Sequence, residues 1–337
     1  MALLTLAGCR IDDPRAPVLE SRLPPGLERR FLPPEGWAWG LVEPAGAPAA
    51  RYGVAGPSGR PQGDILILTS YGEPAEVWFE TANNLVAEDY VVWVLEPVGQ
   101  GGSGRYGPMR DVGDAPSLKP DIEAVRMMAT QVIRRRPLIV LASGSSAPAA
   151  LLALGAGAPA DGLVLSAPRL QPESADALSQ ARFFGSLHVD ALPSERPWSW
   201  ERNQPDDRAL GVTHDAERGR LRPAWQAENP ALRMVAPSWR WRAAFSSAAA
   251  SATGPAVARL RIPVLLMQPG AGATPATGFC RRLANCTLQS LGPAGAEPEL
   301  EADPPRTAWL TALTAFAGRS AGGFSPPPPR ARLPPEG

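Results

Sequence analysis

The sequence predicts an α/β fold with a doubly wound, mostly parallel sheet and an inserted helical cap. Short apolar runs bounded by turn residues alternate with amphipathic segments over residues 64–168, and the alternation returns after residue 262. Strands that alternate with helices indicate a parallel sheet. The intervening residues 171–255 are polar and tryptophan-rich and contain no strand-like run. They therefore indicate a helical insertion between two halves of one core.

The first half of the sheet is predicted from continuous apolar runs, which are typical of parallel strands buried on both faces. These strands are expected at 65–70, 91–96, 137–142 and 162–168. The helices between them are expected at 74–90, 120–134 and 147–157. Pro120 suits the first turn of the second helix, where its missing N–H has no helical partner.

The second half repeats the pattern with strands at 262–270 and 287–292 and helices at 275–284 and 307–319. The chain is accordingly divided into a signal-like start (1–9), a leader of irregular or short-strand structure (10–60), the first half of the core (61–170), the helical cap (171–255), the second half of the core (256–318) and a proline-rich tail (319–337). The tail composition favours an extended, unpacked segment.

Composition excludes several classes of function. Lys and Arg number 33, as do Asp and Glu, and no basic stripe carries interleaved aromatic residues, so no nucleic-acid partner is expected. No apolar run approaches the roughly 18 residues of a membrane-spanning helix. No cofactor or metal motif is recognised. Gly99-Gln100-Gly101-Gly102 lacks the lysine and spacing of a phosphate-binding loop, which favours a tight turn after a strand.

The first nine residues, MALLTLAGC, resemble the end of a bacterial lipoprotein signal. Leu6-Ala7-Gly8-Cys9 matches the pattern of a leucine, two small residues and a cysteine that becomes lipidated. The resemblance implies an exported protein that faces the periplasm and is held to the membrane by a lipid on Cys9. The alternative is a chance apolar start.

The other two cysteines, Cys280 and Cys286, are separated by five residues, which suits neither a redox C-x-x-C motif nor a pair of metal ligands. We predict a disulfide between them, which would agree with an oxidising compartment. Two unpaired thiols are the alternative.

Several segments together resemble the α/β-hydrolase superfamily, specifically its bacterial lysophospholipase and monoacylglycerol lipase-like branch. The matching segments are EPAEVWFE (73–80), VVWVLEPVGQGGSGR (91–105), DVGDAPSLKPDI (111–122), LVLSAP (163–168), GVTHDAERGR (211–220), APSWRWRAAF (236–245) and IPVLLMQPG (262–270). As an ordered set they cover roughly residues 60–318. The resemblance implies a serine, an acid and a histidine on this scaffold, with backbone N–H donors for an oxyanion.

Each position that the resemblance assigns to this triad holds a residue without the required side chain. The serine position falls on Gly144, within Ala142-Ser143-Gly144-Ser145-Ser146. The acid position is Gly272 and the histidine position is Pro298. The oxyanion segment reads Thr69-Ser70-Tyr71-Gly72. The sequence therefore indicates a hydrolase fold that has lost its catalytic residues.

A shifted nucleophile at Ser145 is the alternative, and its obstacle is the base. The two histidines, His188 and His214, both lie in the predicted cap, and the only lysine, Lys119, precedes a helix. Glu96, where the branch usually has aspartate, is expected to cap or pair rather than catalyse.

Two functions follow from these alternatives. The first is a non-catalytic protein that binds a lipid-like ligand or a protein partner, and the second is a serine esterase or lysophospholipase that uses Ser145. The residues expected to line a ligand pocket are Ser70, Tyr71, Ser145, Trp239 and Trp241. The cap tryptophans, which also include Trp198, Trp200 and Trp225, suit an acyl pocket, the core of the cap or a docking surface equally well.

Overall fold

The computed structural model describes residues 13, 15–134, 136–195, 215–270, 274–292 and 306–322. Six residues named in the predictions above lie outside these ranges: Cys9, Trp198, Trp200, His214, Gly272 and Pro298. Residues 323–337 of the predicted tail also lie outside them. The predicted lipidation site and two of the three triad positions are therefore not tested by the structure.

The described strands form one sheet in the order β1-β2-β4-β3-β5-β6-β7-β8. Their bounds are β1 Ala38–Val42, β2 Ala50–Ala55, β3 Gly63–Leu68, β4 Tyr90–Leu95, β5 Leu138–Ser143, β6 Gly162–Ser166, β7 Val264–Pro269 and β8 Cys286–Leu291. Strand β2 runs antiparallel to β1 and β4, and the strands from β4 to β8 pair in parallel.

Helices cover both faces of this sheet. The described α-helices are α1 Phe79–Ala87, α2 Lys119–Met127, α3 Ala147–Gly155, α4 Ala175–Ser186, α5 Ala216–Glu228, α6 Trp239–Ala252, α7 Pro255–Ala258, α8 Pro275–Cys280 and α9 Arg306–Gly322. Short 3₁₀ turns span Arg29–Phe31, Ala75–Trp78, Gly144–Ser146 and Pro230–Leu232, and a π turn spans Met128–Val132. No described helix combines the length and apolar character that crossing a membrane requires.

The predicted fold class is confirmed by two hydrophobic cores on opposite faces of the sheet. Successive side chains of a strand point to opposite faces. In β3, Leu66 belongs to the core beneath α2 and α3, whereas Ile65 belongs to the core beneath α1 and α9. All residues of β3 are buried, which explains the continuous apolar run in its sequence.

The sheet begins at Ala38, earlier than the core start expected at residue 61. Short strands were expected in the predicted leader, but not that they join the main sheet: the sequence of β2, ARYGVA, contains a charge, which a core strand rarely has. Arg51 of β2 is fully buried, and β2 pairs antiparallel with both of its neighbouring strands, β1 and β4. A buried arginine interrupts the apolar pattern by which parallel strands are recognised.

Between β6 and β7 the described residues form the inserted helices α4, α5 and α6. Helix α6 begins at an N-cap serine, Ser238, whose hydroxyl accepts a hydrogen bond from the Trp241 N–H at 3.0 Å. Its buried residues Trp241 and Phe245 pack on Leu118 at the start of α2. The insertion therefore packs against α2 and α3, the helices beside the carboxyl end of β5.

The predicted disulfide is confirmed. Cys280 at the end of α8 and Cys286 at the start of β8 are bonded, with their Cα atoms 5.4 Å apart. The bond closes the short connection between a helix and the edge strand of the sheet.

Candidate functional site

The turn after β5 has the backbone geometry of a nucleophile elbow. The strand ends at Ser143, the chain makes a 3₁₀ turn over Gly144–Ser146, and α3 follows at once. Gly144 has φ +46°, a left-handed conformation that glycine adopts without the penalty a Cβ would bring. A sharp strand-to-helix turn of this kind presents the catalytic serine in α/β-hydrolases. Here the tip of the turn has no side chain.

Ser70, in the loop after β3, fills the space next to that tip. A Cβ atom built on Gly144 would lie 2.4 Å from the Ser70 Oγ and 3.2 Å from the Ser70 Cβ. Real Cβ atoms essentially never come within 3.0 Å of a non-bonded atom. In this rotamer the Ser70 hydroxyl occupies the volume that a side chain at residue 144 would need, so a Cβ there requires Ser70 to rotate.

Serine hydroxyls also accept hydrogen bonds from the two backbone N–H donors at the elbow. In this fold the oxyanion hole is made by the N–H that follows the nucleophile and an N–H from the loop after β3. Here the Tyr71 N–H donates to the Ser145 Oγ at 2.8 Å, and the Ser145 N–H donates to the Ser70 Oγ at 3.2 Å. The two hydroxyl oxygens lie 3.3 Å apart and share a hydrogen bond. The donors that would hold an oxyanion are hydrogen-bonded within the protein.

A cleft of about 710 Å³, called here the outer cleft, opens above the elbow. Its lining comes from the loops after β3, β5, β6 and β7 and consists of Ser70, Tyr71, Gly144, Ser145, Ala167, Pro168, Arg169, Leu170, Gln171, Pro172, Glu173, Ser174, Gln268, Pro269, Thr274, Pro275 and Ala276. The two charged side chains of this lining, Arg169 and Glu173, pair with each other at 2.7 Å. The described walls are thus largely apolar, with hydroxyl and amide groups on the floor.

A second space of about 30 Å³, called here the inner pocket, lies behind the elbow. It is lined by Leu68, Leu95, Glu96, Pro97, Gln100, Leu118, Asp121, Ala124, Val125, Ser145, Ser146, Ala149 and Trp241. Burial raises the pKa of Asp121 to about 7, against the opposing effect of a hydrogen bond from the Val98 N–H. Ser145 lines both spaces and so separates the outer cleft from the inner pocket.

The structure brings most of the predicted pocket residues together. Ser70, Tyr71 and Ser145 form the floor of the outer cleft. Trp241 lies behind them, with its ring 4.8 Å from that of Tyr71 in an edge contact. Trp239 is elsewhere, because its ring is stacked on Phe184 at 5.0 Å within the inserted helices.

No described histidine or lysine lines either space. His188 is exposed just beyond the end of α4, and Lys119 is exposed at the start of α2. Within the described ranges, no group of three or more His, Cys, Asp or Glu side chains could hold a metal ion. The described part of the site thus offers a hydroxyl pair without a neighbouring base of the usual kind.

Glu96 and the glycine-rich turn have structural roles, as the sequence predicted. The Glu96 carboxylate accepts hydrogen bonds from Arg51 Nε at 2.8 Å, from the Ala75 N–H at 2.8 Å and from the Gly102 N–H at 2.9 Å. Gly101, at φ +52°, is held through its carbonyl by Arg105 Nη2 at 2.6 Å. Burial, with Arg110 nearby, lowers the pKa of Arg105 to about 9. This network fixes the loop beside the inner pocket.

The sequence did not reveal Asp121 as a residue of the site. Its only signal is its helical spacing from the buried residues Ala124 and Val125, which places a carboxylate on the buried side of α2. The hydrogen bonds between Ser70, Tyr71 and Ser145 were likewise invisible, because they join residues 74 and 75 positions apart in the chain.

Residues 59–273 match the family described as serine aminopeptidase, S33. The chain belongs to this family. The match takes in the elbow, both donor segments and the inserted helices, and it confirms the predicted relation to α/β-hydrolases. No curated protein matches the chain significantly.

Solved structures share the fold of this S33 family member at low sequence identity. A lipase in an open form is 18% identical, with a TM-score of 0.64 over 84% of this chain and 99% of the lipase. A monoglyceride lipase from Saccharomyces cerevisiae is 14% identical, with a TM-score of 0.60 over 83% of this chain and 94% of its own. The monoacylglycerol lipase of Paleococcus ferrophilus is 13% identical, with a TM-score of 0.61 over 85% of this chain and 100% of its own.

Proposed function

We propose that this S33 family member binds a lipid-like ligand in the outer cleft without hydrolysing it. The observation that carries the proposal is the elbow itself, where Gly144 lacks a side chain and the Ser70 Oγ lies 2.4 Å from the place of a Cβ. An ester hydrolase of this fold needs a nucleophile at that place. Removal of a triad in related chemistry lowers kcat about a millionfold.

The lining of the outer cleft supports an apolar ligand. Ala167, Pro168, Leu170, Pro269 and Ala276 present carbon to the cleft. The charges of Arg169 and Glu173 neutralise each other across 2.7 Å, so the lining does not favour a strongly charged molecule. Apolar walls with a few polar groups are typical of small-molecule sites, and a volume of about 710 Å³ lies within their usual range.

A binding measurement with the full chain tests the proposal. The protein is stripped of lipid and titrated with a fluorescent fatty-acyl probe, which 1-acylglycerol then displaces. Gln171 is exposed on the wall of the outer cleft, so Gln171→Trp narrows the cleft and should weaken binding at least tenfold. Thr311→Trp, at an exposed position of α9, is the matched control and should bind as the wild type does. Equal binding by both variants would contradict a ligand in the outer cleft.

Ser145 as a shifted nucleophile is the second candidate, because its hydroxyl lines the outer cleft next to a backbone donor. The geometry favours it less. The Ser145 Oγ accepts the Tyr71 N–H at 2.8 Å, so the atom that would attack occupies the donor that would stabilise the oxyanion. The Tyr71 N–H would have to leave the Ser145 Oγ and turn to the oxyanion at the transition state, which requires a rearrangement of the loop.

We further propose that the protein is exported and anchored to the membrane by a lipid on Cys9. The proposal is supported by the sequence Leu6-Ala7-Gly8-Cys9 and by the disulfide between Cys280 and Cys286, which suits an oxidising compartment. Incorporation of labelled palmitate into the wild type, and its absence in Cys9→Ser, is the expected result. Equal labelling of the two proteins would contradict the anchor.

A further inference from the structure

Two polar groups at the inner pocket are buried without a hydrogen-bond partner among the described residues. Asp121 is 7% exposed, and its Oδ1 accepts the Val98 N–H at 2.8 Å, whereas its Oδ2 has no partner. Trp241 is 2% exposed, and its indole Nε1–H also has no partner. One group is an acceptor and the other is a donor. Buried polar groups in native proteins are nearly always paired, so both call for a ligand.

The size of the inner pocket selects that ligand. A water molecule needs about 10–15 Å³ of accessible space and two to four polar partners. The inner pocket offers about 30 Å³. It therefore accommodates one or two water molecules and excludes an alkyl chain or a sugar. Glu96, which also lines the pocket, is already bonded to Arg51 and to two backbone N–H groups, so its carboxylate is not the group in need of a partner.

Ser145 gives the pocket a third polar group. Ser70 and Ser145 carry two hydroxyl hydrogens, and the hydrogen bond between their oxygens uses one of them. Each oxygen also accepts a backbone N–H. When Ser70 is the donor between the two oxygens, the hydroxyl hydrogen of Ser145 is the one left over. Ser145 faces both spaces, so this hydrogen can be donated into the inner pocket.

We propose that the inner pocket is a binding site for an ordered water molecule that joins Asp121, Trp241 and Ser145. The water accepts the Trp241 Nε1–H and the Ser145 hydroxyl hydrogen, and it donates to the Asp121 Oδ2. All three groups are satisfied by one molecule of the size the pocket admits. Asp121 is then a positioning residue, because through the water it directs the Ser145 hydrogen inward and away from the outer cleft.

Nuclear magnetic resonance on the ¹⁵N-labelled full chain at pH 8 tests the site. The Trp241 indole signal, assigned with Trp241→Phe, should show a nuclear Overhauser cross-peak to water. The control is Trp309, an equally buried indole whose Nε1–H donates to the Ser166 Oγ at 2.9 Å, and it should show none. The cross-peak should persist in Ser145→Ala, which removes the only hydroxyl hydrogen proposed to lie beside the water.

Two variants empty the site by different routes. Asp121→Leu removes the acceptor, and Ala149→Val adds carbon to the pocket lining without touching a hydrogen bond. Each folded variant should lose the cross-peak of Trp241 while the Trp309 signal stays unchanged. A Trp241 indole without a water cross-peak in the wild type, or a cross-peak that survives both variants, would overturn the proposal. The result is independent of any ligand in the outer cleft, so it can fail while the proposed function stands.

Discussion

At the scale of single residues, the proposed absence of catalysis rests on the backbone as much as on the missing side chains. The elbow still places residue 144 in a left-handed conformation, where hydrolases of this fold hold a serine. Glycine adopts this conformation without a Cβ penalty, and the Ser70 hydroxyl lies in the space beside it. The Ser145 hydroxyl, one residue later, accepts the Tyr71 N–H and contacts the Ser70 hydroxyl. The hydroxyl of Ser145 is therefore present at the elbow, but it is hydrogen-bonded to Tyr71 and Ser70.

Gly144→Ala should destabilise the fold by about 1–3 kcal/mol, because the new Cβ meets the Ser70 Oγ and the φ of +46° disfavours alanine. Ser70→Gly removes the steric part, and it also removes the hydrogen bonds of the Ser70 hydroxyl, whose loss is common to both Ser70 variants and cancels in the comparison. The double variant should therefore be more stable than the sum of the single changes by about 1 kcal/mol. Urea unfolding of the four proteins gives this coupling, and strict additivity would show that Ser70 does not occupy the nucleophile's volume.

Asp121→Asn should change the pH dependence of stability. Burial raises the pKa of Asp121 to about 7, so the folded protein keeps this proton at a pH where the unfolded chain has lost it. The associated stability is fully present below about pH 4 and is lost as the pH rises through 7. Asparagine cannot ionise, and its Oδ1 can still accept the Val98 N–H. The free energy of unfolding of the variant, relative to that of the wild type, should therefore rise by on the order of 2 kcal/mol as the pH is raised from 5 to 8.

The other ionisable groups near Asp121 do not change the sign of that result. Glu96 lines the same pocket and is paired with Arg51, and burial raises the pKa of Tyr106 on the other side. Unfolding free energies at both pH values, with the exposed Glu35→Gln as control for the rest of the chain, supply the measurement. An unchanged difference between Asp121→Asn and the wild type at the two pH values would contradict a raised pKa.

At the scale of secondary-structure elements, a buried arginine strengthens the attachment of the antiparallel strand β2, which also pairs with β1 and β4. Arg51 donates to Glu96 through Nε and Nη2 and to Glu76 through Nη2, and both carboxylates are fully shielded from solvent. The guanidinium also lies over the Trp39 ring of β1 at 4.0 Å. The cluster links the two antiparallel strands to the loops after β3 and β4.

Arg51→Met should destabilise the fold by roughly 3–5 kcal/mol, because it leaves two buried carboxylates without their cation. Arg15→Met is the matched control, since Arg15 and Asp13 form a solvent-exposed pair whose loss should change the stability little. Thermal or denaturant unfolding compares the two. A loss of stability as small for Arg51 as for Arg15 would show that the cluster does not hold β2 to the sheet.

The elements that the sequence predicts well are those with one dominant signal. The apolar runs of β3 and β5 identify buried parallel strands because both faces of each are covered by helices. The place of β2 in the main sheet is not predicted, because Arg51 is stabilised there by Glu76 and Glu96, which are distant in sequence. The glycine at the expected nucleophile position can be read from the sequence. The hydrogen bonds between the backbone donors and the hydroxyls of Ser70 and Ser145 cannot, because they join residues far apart in the chain.

At the scale of the whole molecule, the outer cleft lies at the carboxyl ends of the parallel strands. The residues after β3, β5, β6 and β7 meet there, as is usual for ligand sites in open α/β sheets. The match to the S33 family spans residues 59–273, the cleft has a volume of about 710 Å³, and the backbone donors at its floor are hydrogen-bonded to serine hydroxyls. The proposed function, binding without cleavage, is consistent with these observations.

The most direct measurement of the central claim is labelling of the full chain with a fluorophosphonate probe, which reacts with activated serines. Ser145→Ala and Ser70→Ala are run beside the wild type, with an active serine hydrolase as positive control and circular dichroism to verify folding. We predict that the folded wild type is labelled no more than either variant. Labelling of the wild type that disappears in Ser145→Ala or in Ser70→Ala would contradict the account and identify a live nucleophile at that residue.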